Sequence, residues 1–236
     1  MKQNNPLISI QEMRVKRGDF VLDLPDWQVA PGEVIGLVGP NGSGKTTLLE
    51  TLAGLHAAQK QKLEVFGKDP WKEPVAVRCS LGFMSDTLPI FDMRIGALLR
   101  MLSGYYPTWD TKLVNELIQT FQLDINKKTQ NLSKGEGTRI RLLIAMAFRP
   151  KLLLLDEPAS GLDLMGKRAL LQSVLDIVRD PERSVLISSH QLADVERISD
   201  RLLVLKQGKV VHQGKTDELL GEERTLEEAM LQWGAA

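Results

Sequence analysis

The sequence has one cysteine, Cys79, in 236 residues, so no intrachain disulfide can form, and a reducing cytosolic setting fits that count. No apolar run approaches the ~20 residues that a bilayer-crossing helix needs. The first residues, Met1-Lys2-Gln3-Asn4-Asn5-Pro6, are polar and carry no signal-peptide core. Neither charge dominates: 30 Lys+Arg stand against 30 Asp+Glu. A broad basic face for nucleic acid or an anionic membrane is therefore not expected. Internal repeats, low-complexity stretches, long charge runs and a coiled-coil insertion are also missing. What remains is a chain that is 43% hydrophobic and 25% charged, the balance of an ordinary globular protein with enough apolar side chains for a substantial core. Its length suits one large domain, or a core domain carrying a subdomain.

The most informative stretch that is present reads Gly39-Pro40-Asn41-Gly42-Ser43-Gly44-Lys45-Thr46-Thr47. It fits the phosphate-loop pattern G-x-x-x-x-G-K-[ST]. The glycines let successive backbone N–H groups point inward at phosphate oxygens, Lys45 reaches the β- and γ-phosphates, and the Thr46 hydroxyl sits where a magnesium ligand is needed. The context agrees. The apolar run Val34–Val38 precedes the loop and predicts a buried strand. Thr46–Ala57 follows and predicts a helix whose positive N-terminus faces the same anion. This segment predicts a nucleoside triphosphate with magnesium.

The rest of the chain predicts an α/β fold. Leu7–Val15 and Phe20–Val29 alternate in part around the turn signal Arg17-Gly18-Asp19, which predicts antiparallel strands at the N-terminus. Short strands are predicted at Lys62–Phe66 and Leu81–Met84, and helices at Arg94–Ser103, Thr111–Phe121 and Gly135–Phe148. Beyond residue 151, strands at Leu152–Leu155, Ser184–Ser188 and Arg201–Leu205 alternate with helices at Gly166–Val178 and Gln191–Ile198. Alternation of buried strands and helices predicts a mainly parallel sheet covered on both faces. Residues 86–149 break the alternation with helices only. They read as a helical subdomain inserted between two halves of an α/β core, 1–85 and 150–236. The tail from Lys215 carries two short helical patterns, the last opened by a capping start at Thr225-Leu226-Glu227-Glu228.

A second motif supplies acid. In Leu152-Leu153-Leu154-Leu155-Asp156-Glu157-Pro158, an apolar strand delivers carboxylates at its C-terminal end, where open α/β sheets bind ligands. In phosphate-loop enzymes such an Asp holds magnesium, which assigns Asp156 beside Thr46. Glu157 is a candidate general base for an attacking water. Leu132-Ser133-Lys134-Gly135-Glu136 precedes a helix, so Ser133 is a capping residue and its helix start an anion site.

Phosphate loop, Leu132–Glu136, Leu155–Pro158, Ser160-Gly161-Leu162-Asp163 and Ser188-Ser189-His190 occur in this order. Together they resemble the nucleotide-binding domain of ABC transporters over essentially the whole chain. The resemblance implies ATP and Mg2+. It implies that Leu132–Glu136 is the signature, whose Ser133 and Gly135 contact the γ-phosphate of ATP held by a second subunit, with Glu136 beside them. Ser160–Asp163 becomes the loop that crosses the dimer interface, and His190 the switch histidine that positions water. Three departures from the family pattern stand out. Asp86 occupies, to within one residue, the place of a Gln that contacts magnesium. Arg17 occupies the place of an aromatic that stacks on adenine, with Phe20 as a substitute. Lys134 and Glu136 replace the commoner Gly and Gln of the signature.

The resemblance further implies a dimer, favoured as a homodimer, and a separate integral-membrane permease docking around Asp86–Met93, where Leu88, Ile90, Phe91 and Met93 offer apolar contacts. The location implied is peripheral, on the cytoplasmic face of the cell membrane, with no nucleic-acid partner. Tyr106-Pro107-Thr108-Trp109-Asp110 and the Leu-Ser-Lys-Gly signature are similar to those of ATPase subunits paired with ABC-2-type exporters, which implies export of a drug, peptide or other small compound. The alternative from another class is a soluble ABC ATPase without transport, of the iron–sulfur assembly kind.

Overall fold

The computed structural model describes residues 5–59, 62–190, 192–221 and 224–234. Its centre is a run of five parallel strands. They are β5 (Val34–Val38), β7 (Leu81–Met84), β8 (Leu152–Asp156), β9 (Ser184–Ser188) and β10 (Arg201–Lys206), in the spatial order β10-β5-β9-β8-β7. Alternate residues of a strand leave on opposite faces. In β8, Leu152 and Leu154 join the core on one face of the sheet, while Leu153 and Leu155 join the core on the other. A strand apolar at every position therefore has both faces covered, as the uninterrupted leucine run predicts.

On one face lies α1 (Lys45–Leu52), packed through Leu48, Leu49 and Leu52. On the other lie α3 (Ile95–Ser103), α4 (Thr111–Thr120), α5 (Lys134–Met146) and α6 (Leu164–Val178). Ile95, Leu117, Ile140 and Leu170 share one core there with Leu153 and Ile187 of the sheet. The helices of 86–149 thus rest on sheet residues and have no core apart from them. A third apolar cluster fastens α7 (Leu192–Ile198) and the terminal α9 (Leu226–Gln232) to β5 and β10. α9 opens with a full capping box between Thr225 and Glu228, as its sequence predicts. The predicted start of α7 at Gln191 lies outside the described residues.

The antiparallel part is divided differently from the expectation. Glu12, at φ +44°, splits the first predicted strand into β1 (Ile8–Gln11) and β2 (Met13–Arg17). Pro25-Asp26 splits the second into β3 (Phe20–Leu24) and β4 (Trp27–Val29). β1 pairs with β4 and with β6 (Lys62–Val65) in a separate three-stranded sheet, while β2 and β3 form the edge of the main sheet. Their neighbour is β11 (Lys209–Lys215), for which the sequence reading had no strand. Gln207 and Gly208 between β10 and β11 both have positive φ, +47° and +77°, the two-residue turn whose twist matches a hairpin.

Two helices also differ. α1 stops at Leu52, five residues short of the prediction. Gly54 sits at φ +69°, its N–H bonds to the Thr51 carbonyl, and the Leu55 N–H reaches back to the Glu50 carbonyl. Those two hydrogen bonds close the helix. The short α2 (Pro74–Arg78), begun by proline in the first turn, has no counterpart in the sequence reading. Among the described residues no helix is long and apolar enough to cross a membrane.

Candidate functional site

Parallel strands bring their C-terminal ends to one edge of the sheet. β5 runs into the phosphate loop, β9 into Ser189-His190, β8 into Asp156-Glu157 and β7 into Ser85-Asp86. The registers Leu37↔Ser188, Asp156↔Ser188 and Met84↔Leu155 hold these ends level. A cavity of about 440 Å³ opens at this edge, lined by Arg17, Phe20, Asn41, Gly42, Gly44, Lys45, Thr46, Thr47, Asp156 and Glu157.

The loop is shaped for close approach. Gly39 has φ +146°, and a Cβ there would lie 2.1 Å from the Leu205 carbonyl oxygen, so no other residue fits. The Lys45 ammonium donates to the carbonyls of Gly39 at 2.7 Å and Pro40 at 3.2 Å. Burial pushes the Lys45 pKa down, opposed by the charges of Glu157 and Asp156. In α1 the first-turn N–H groups of Lys45, Thr46 and Thr47 lack intrahelical acceptors by construction. Ser43 Oγ is buried without a hydrogen-bond partner. A buried unpaired hydroxyl costs free energy unless a ligand answers it. Loop glycines, free amides, a buried ammonium and this hydroxyl all fit a polyphosphate.

Asp156, 6% exposed, is held at both oxygens. Thr46 Oγ1 donates to Oδ2 at 2.8 Å, Ser188 Oγ to Oδ1 at 2.8 Å and Ser85 Oγ to Oδ2 at 3.3 Å. Hydroxyl and carboxylate oxygens suit a hard cation such as Mg2+, which takes one or two carboxylates and completes its shell with phosphate and water. Glu157 follows with φ +49°, its N–H bonded to Ser188 Oγ. Its Oε2 lies 2.6 Å from His190 Nδ1 and accepts the His190 backbone N–H at 3.2 Å. The two residues named separately from the sequence are therefore one contact pair at the cavity rim.

The signature lies elsewhere. Ser133 caps α5 in a reciprocal box with Glu136. Both Glu136 oxygens also accept from Lys127 Nζ at 2.8 Å. The Lys127 hydrogen bond, then that of the Ser133 backbone N–H, holds the Glu136 carboxyl at about 2. Glu136 is thus committed within its own helix start and is a capping residue in this structure. Lys134 Nζ donates to Ser160 Oγ at 2.9 Å. A Cβ on Gly135 would lie 2.8 Å from the Gly161 carbonyl oxygen, so glycine lets α5 approach the 160–163 loop. Ser133 is exposed and lines a different cavity of about 460 Å³, with Ile90, Lys134 and Arg141.

Two further candidates fall differently from their sequence assignments. Asp86 is exposed and lines the signature cavity, while the buried neighbour of Asp156 from this chain end is Ser85. Arg17 lines the phosphate-loop cavity beside Phe20, and its guanidinium is tied to Glu50 of α1 at 2.7 Å. Glu50 also accepts from His56, 2.9 Å away.

A model of the family described as ABC transporter matches residues 22–160, more than half of the chain. The chain belongs to the ABC transporter family. Daunorubicin resistance ATP-binding protein DrrA3 of Streptomyces coeruleorubidus is 33% identical over 223 residues, spanning 91% of this chain and 70% of its own length. Molybdenum import ATP-binding protein ModC of Hahella chejuensis is 34% identical over 214 residues, spanning 86% of this chain and 59% of its own. A solved ATP-binding subunit of an ABC transporter superposes with a TM-score of 0.87 at 22% identity, covering 97% of this chain and 99% of that one. The α/β architecture is that of the ABC ATPases, and this chain is an ABC-type ATPase.

Proposed function

We propose that this ABC ATPase pairs with a second copy around two Mg-ATP and drives a separate membrane permease, in the direction of export. One observation carries the shared-site reading: the exposed cap Ser133 and the phosphate loop line different cavities of the same chain. A helix start that presents free N–H groups away from its own nucleotide is available to a nucleotide held by a neighbour.

In this reading Lys45, the loop amides and Ser43 bind and orient the phosphates, and Arg17 or Phe20 meets the base. Thr46 and Asp156 hold Mg2+, which when bound neutralises phosphate charge. Glu157 takes a proton from water, and His190, in contact with the same carboxylate, fixes its orientation. Catalysis of this type rests on positioning and charge stabilisation more than on covalent work.

Residues 86–149 act as the helical subdomain that meets the permease. Phe91 is 64% exposed within Asp86–Met93, which supports that surface. The chain would then sit on the cytoplasmic face of the membrane through its partner. Export rests on the Tyr106–Asp110 stretch and on the likeness to a protein named for daunorubicin resistance. The test is affinity purification from detergent-solubilised membranes, followed by ATP-dependent transport in inside-out vesicles. Co-purification of an integral-membrane permease and uptake into those vesicles support the proposal. Recovery with soluble scaffold proteins alone favours the non-transport alternative, and efflux from the vesicles reverses the direction.

A further inference from the structure

Asp156 has three hydroxyl partners, and only one of them, Thr46, has a part in the function proposed above. Thr46 reaches the carboxylate from α1 and Ser188 from β9; the third is Ser85, just past β7. β7 pairs in parallel with β8, Met84 opposite Leu155, so the next residue on each chain, Ser85 and Asp156, stand level. Ser85 is 1% exposed, and its Oγ lies 3.3 Å from Asp156 Oδ2. It is oriented from its own chain as well: the Thr87 N–H donates to Ser85 Oγ at 3.3 Å, and Thr87 Oγ1 lies 3.0 Å away. Beyond Ser85 the chain turns, the Leu88 N–H donating to the Ser85 carbonyl at 3.3 Å, and Asp86, inside that turn, is exposed and lines the signature cavity.

We propose that Ser85 is a positioning residue for the divalent cation: its hydroxyl fixes Oδ2 of Asp156 in the orientation that receives the ion, and Asp86 is not a ligand. The inference rests on Asp156 and Thr46 being the magnesium site. An aspartate carboxylate turns easily about its last torsion. Ser188 on Oδ1, with Thr46 and Ser85 on Oδ2, removes that freedom before the ion arrives, and Ser85 is the Oδ2 partner that remains when the Thr46 oxygen is taken up by the ion; this is the role of outer-shell partners at metal sites. A hydroxyl does so without adding negative charge beside Asp156 and Glu157, as an inward Asp86 would.

The test titrates Mn2+ into the full-length protein saturated with a non-hydrolysable ATP analogue, following free Mn2+ by electron paramagnetic resonance. Nucleotide affinity in EDTA is measured alongside. Ser85→Ala is expected to weaken Mn2+ binding about 10–100-fold while metal-free nucleotide affinity stays unchanged. Ser85→Cys keeps the volume but is a weak donor, so it should weaken Mn2+ similarly and separate the hydrogen bond from packing. Asp86→Asn should leave Mn2+ affinity unchanged. Unchanged Mn2+ binding in both Ser85 variants, or about a tenfold loss in Asp86→Asn, overturns the inference. Asp156→Asn and Thr46→Ala serve as references: if neither weakens Mn2+ binding, the magnesium site itself is misplaced and the role of Ser85 falls with it.

Discussion

In the function proposed above the phosphate-loop edge and the signature helix start both meet phosphate, yet they are finished to different degrees. At the loop edge, Asp156 is 6% exposed and bonded at both oxygens, Lys45 is 7% exposed, and the strand ends are held level by β-sheet register. At the signature, Ser133 is exposed, and what is fixed around it is its own helix: Glu136 answers the Ser133 N–H, Lys127 answers Glu136, and Lys134 reaches Ser160. One region closes its polar groups around a cavity, the other closes them within its own helix start, so a single chain carries the proposed phosphate cradle and, lining a different cavity, an exposed helix start.

The largest loss is expected at the carboxylate edge. Glu157→Gln removes the proposed base and should lower phosphate release at least ~100-fold, while equilibrium dialysis shows ATP still bound. Turnover near that of the unmodified protein would take Glu157 out of the reaction.

A smaller effect is expected where the cradle meets the base. Arg17→Ala should weaken ATP binding about fivefold, the worth of ~1 kcal/mol of guanidinium–base contact. Inorganic tripolyphosphate, which has no base, should bind equally to both proteins in competition calorimetry. Equal losses for the two ligands would mean that Arg17 acts on phosphate instead.

An effect of similar size, on stability instead of binding, belongs to the signature scaffold. Glu136→Ala should cost about 1 kcal/mol of stability by denaturant titration at pH 7, as loss of a capping partner does. The folded carboxyl lies at about 2 against an ordinary 4.5. Its contribution is therefore complete above 4.5 and is lost as the pH falls from 4.5 towards about 2. A Glu136→Ala protein whose acid unfolding matches that of the unmodified chain across this window would remove Glu136 from the scaffold.

Much of the loop edge was legible because its signals are local. Gly39–Thr47 and Leu152–Glu157 are short runs in which residue type and order carry the chemistry, and a strand apolar at every position announces burial on both faces. Partnerships set by tertiary register were not legible. Ser85 meets Asp156 across 71 positions, because β7 lies beside β8. Arg17 meets Glu50 across 33, so the arginine looked free in sequence. The capping role of Glu136 has a sequence signal, a Ser three residues ahead of a Glu at a helix start, but the same residues also match a phosphate-contacting pattern, and nothing local chooses between the two. β11 also had one, the Gln207-Gly208 turn followed by the alternating Val210 and His212; the short run is mostly exposed, so it lacked the apolar density by which the other strands were recognised.

In the proposed dimer the phosphate loop of one chain and Ser133 of another complete a single hydrolytic site. Mixing two separately inactive proteins tests it most directly. Lys45→Ala breaks the loop and keeps the signature, while Ser133→Arg breaks the signature and keeps the loop. A mixed pair then contains one intact site, made from the good half of each chain. Neither variant alone should release phosphate, and an equimolar mixture should regain ATPase activity that rises with protein concentration. A mixture as inactive as its components, or a Ser133→Arg protein that hydrolyses ATP at the full rate alone, would contradict the shared site.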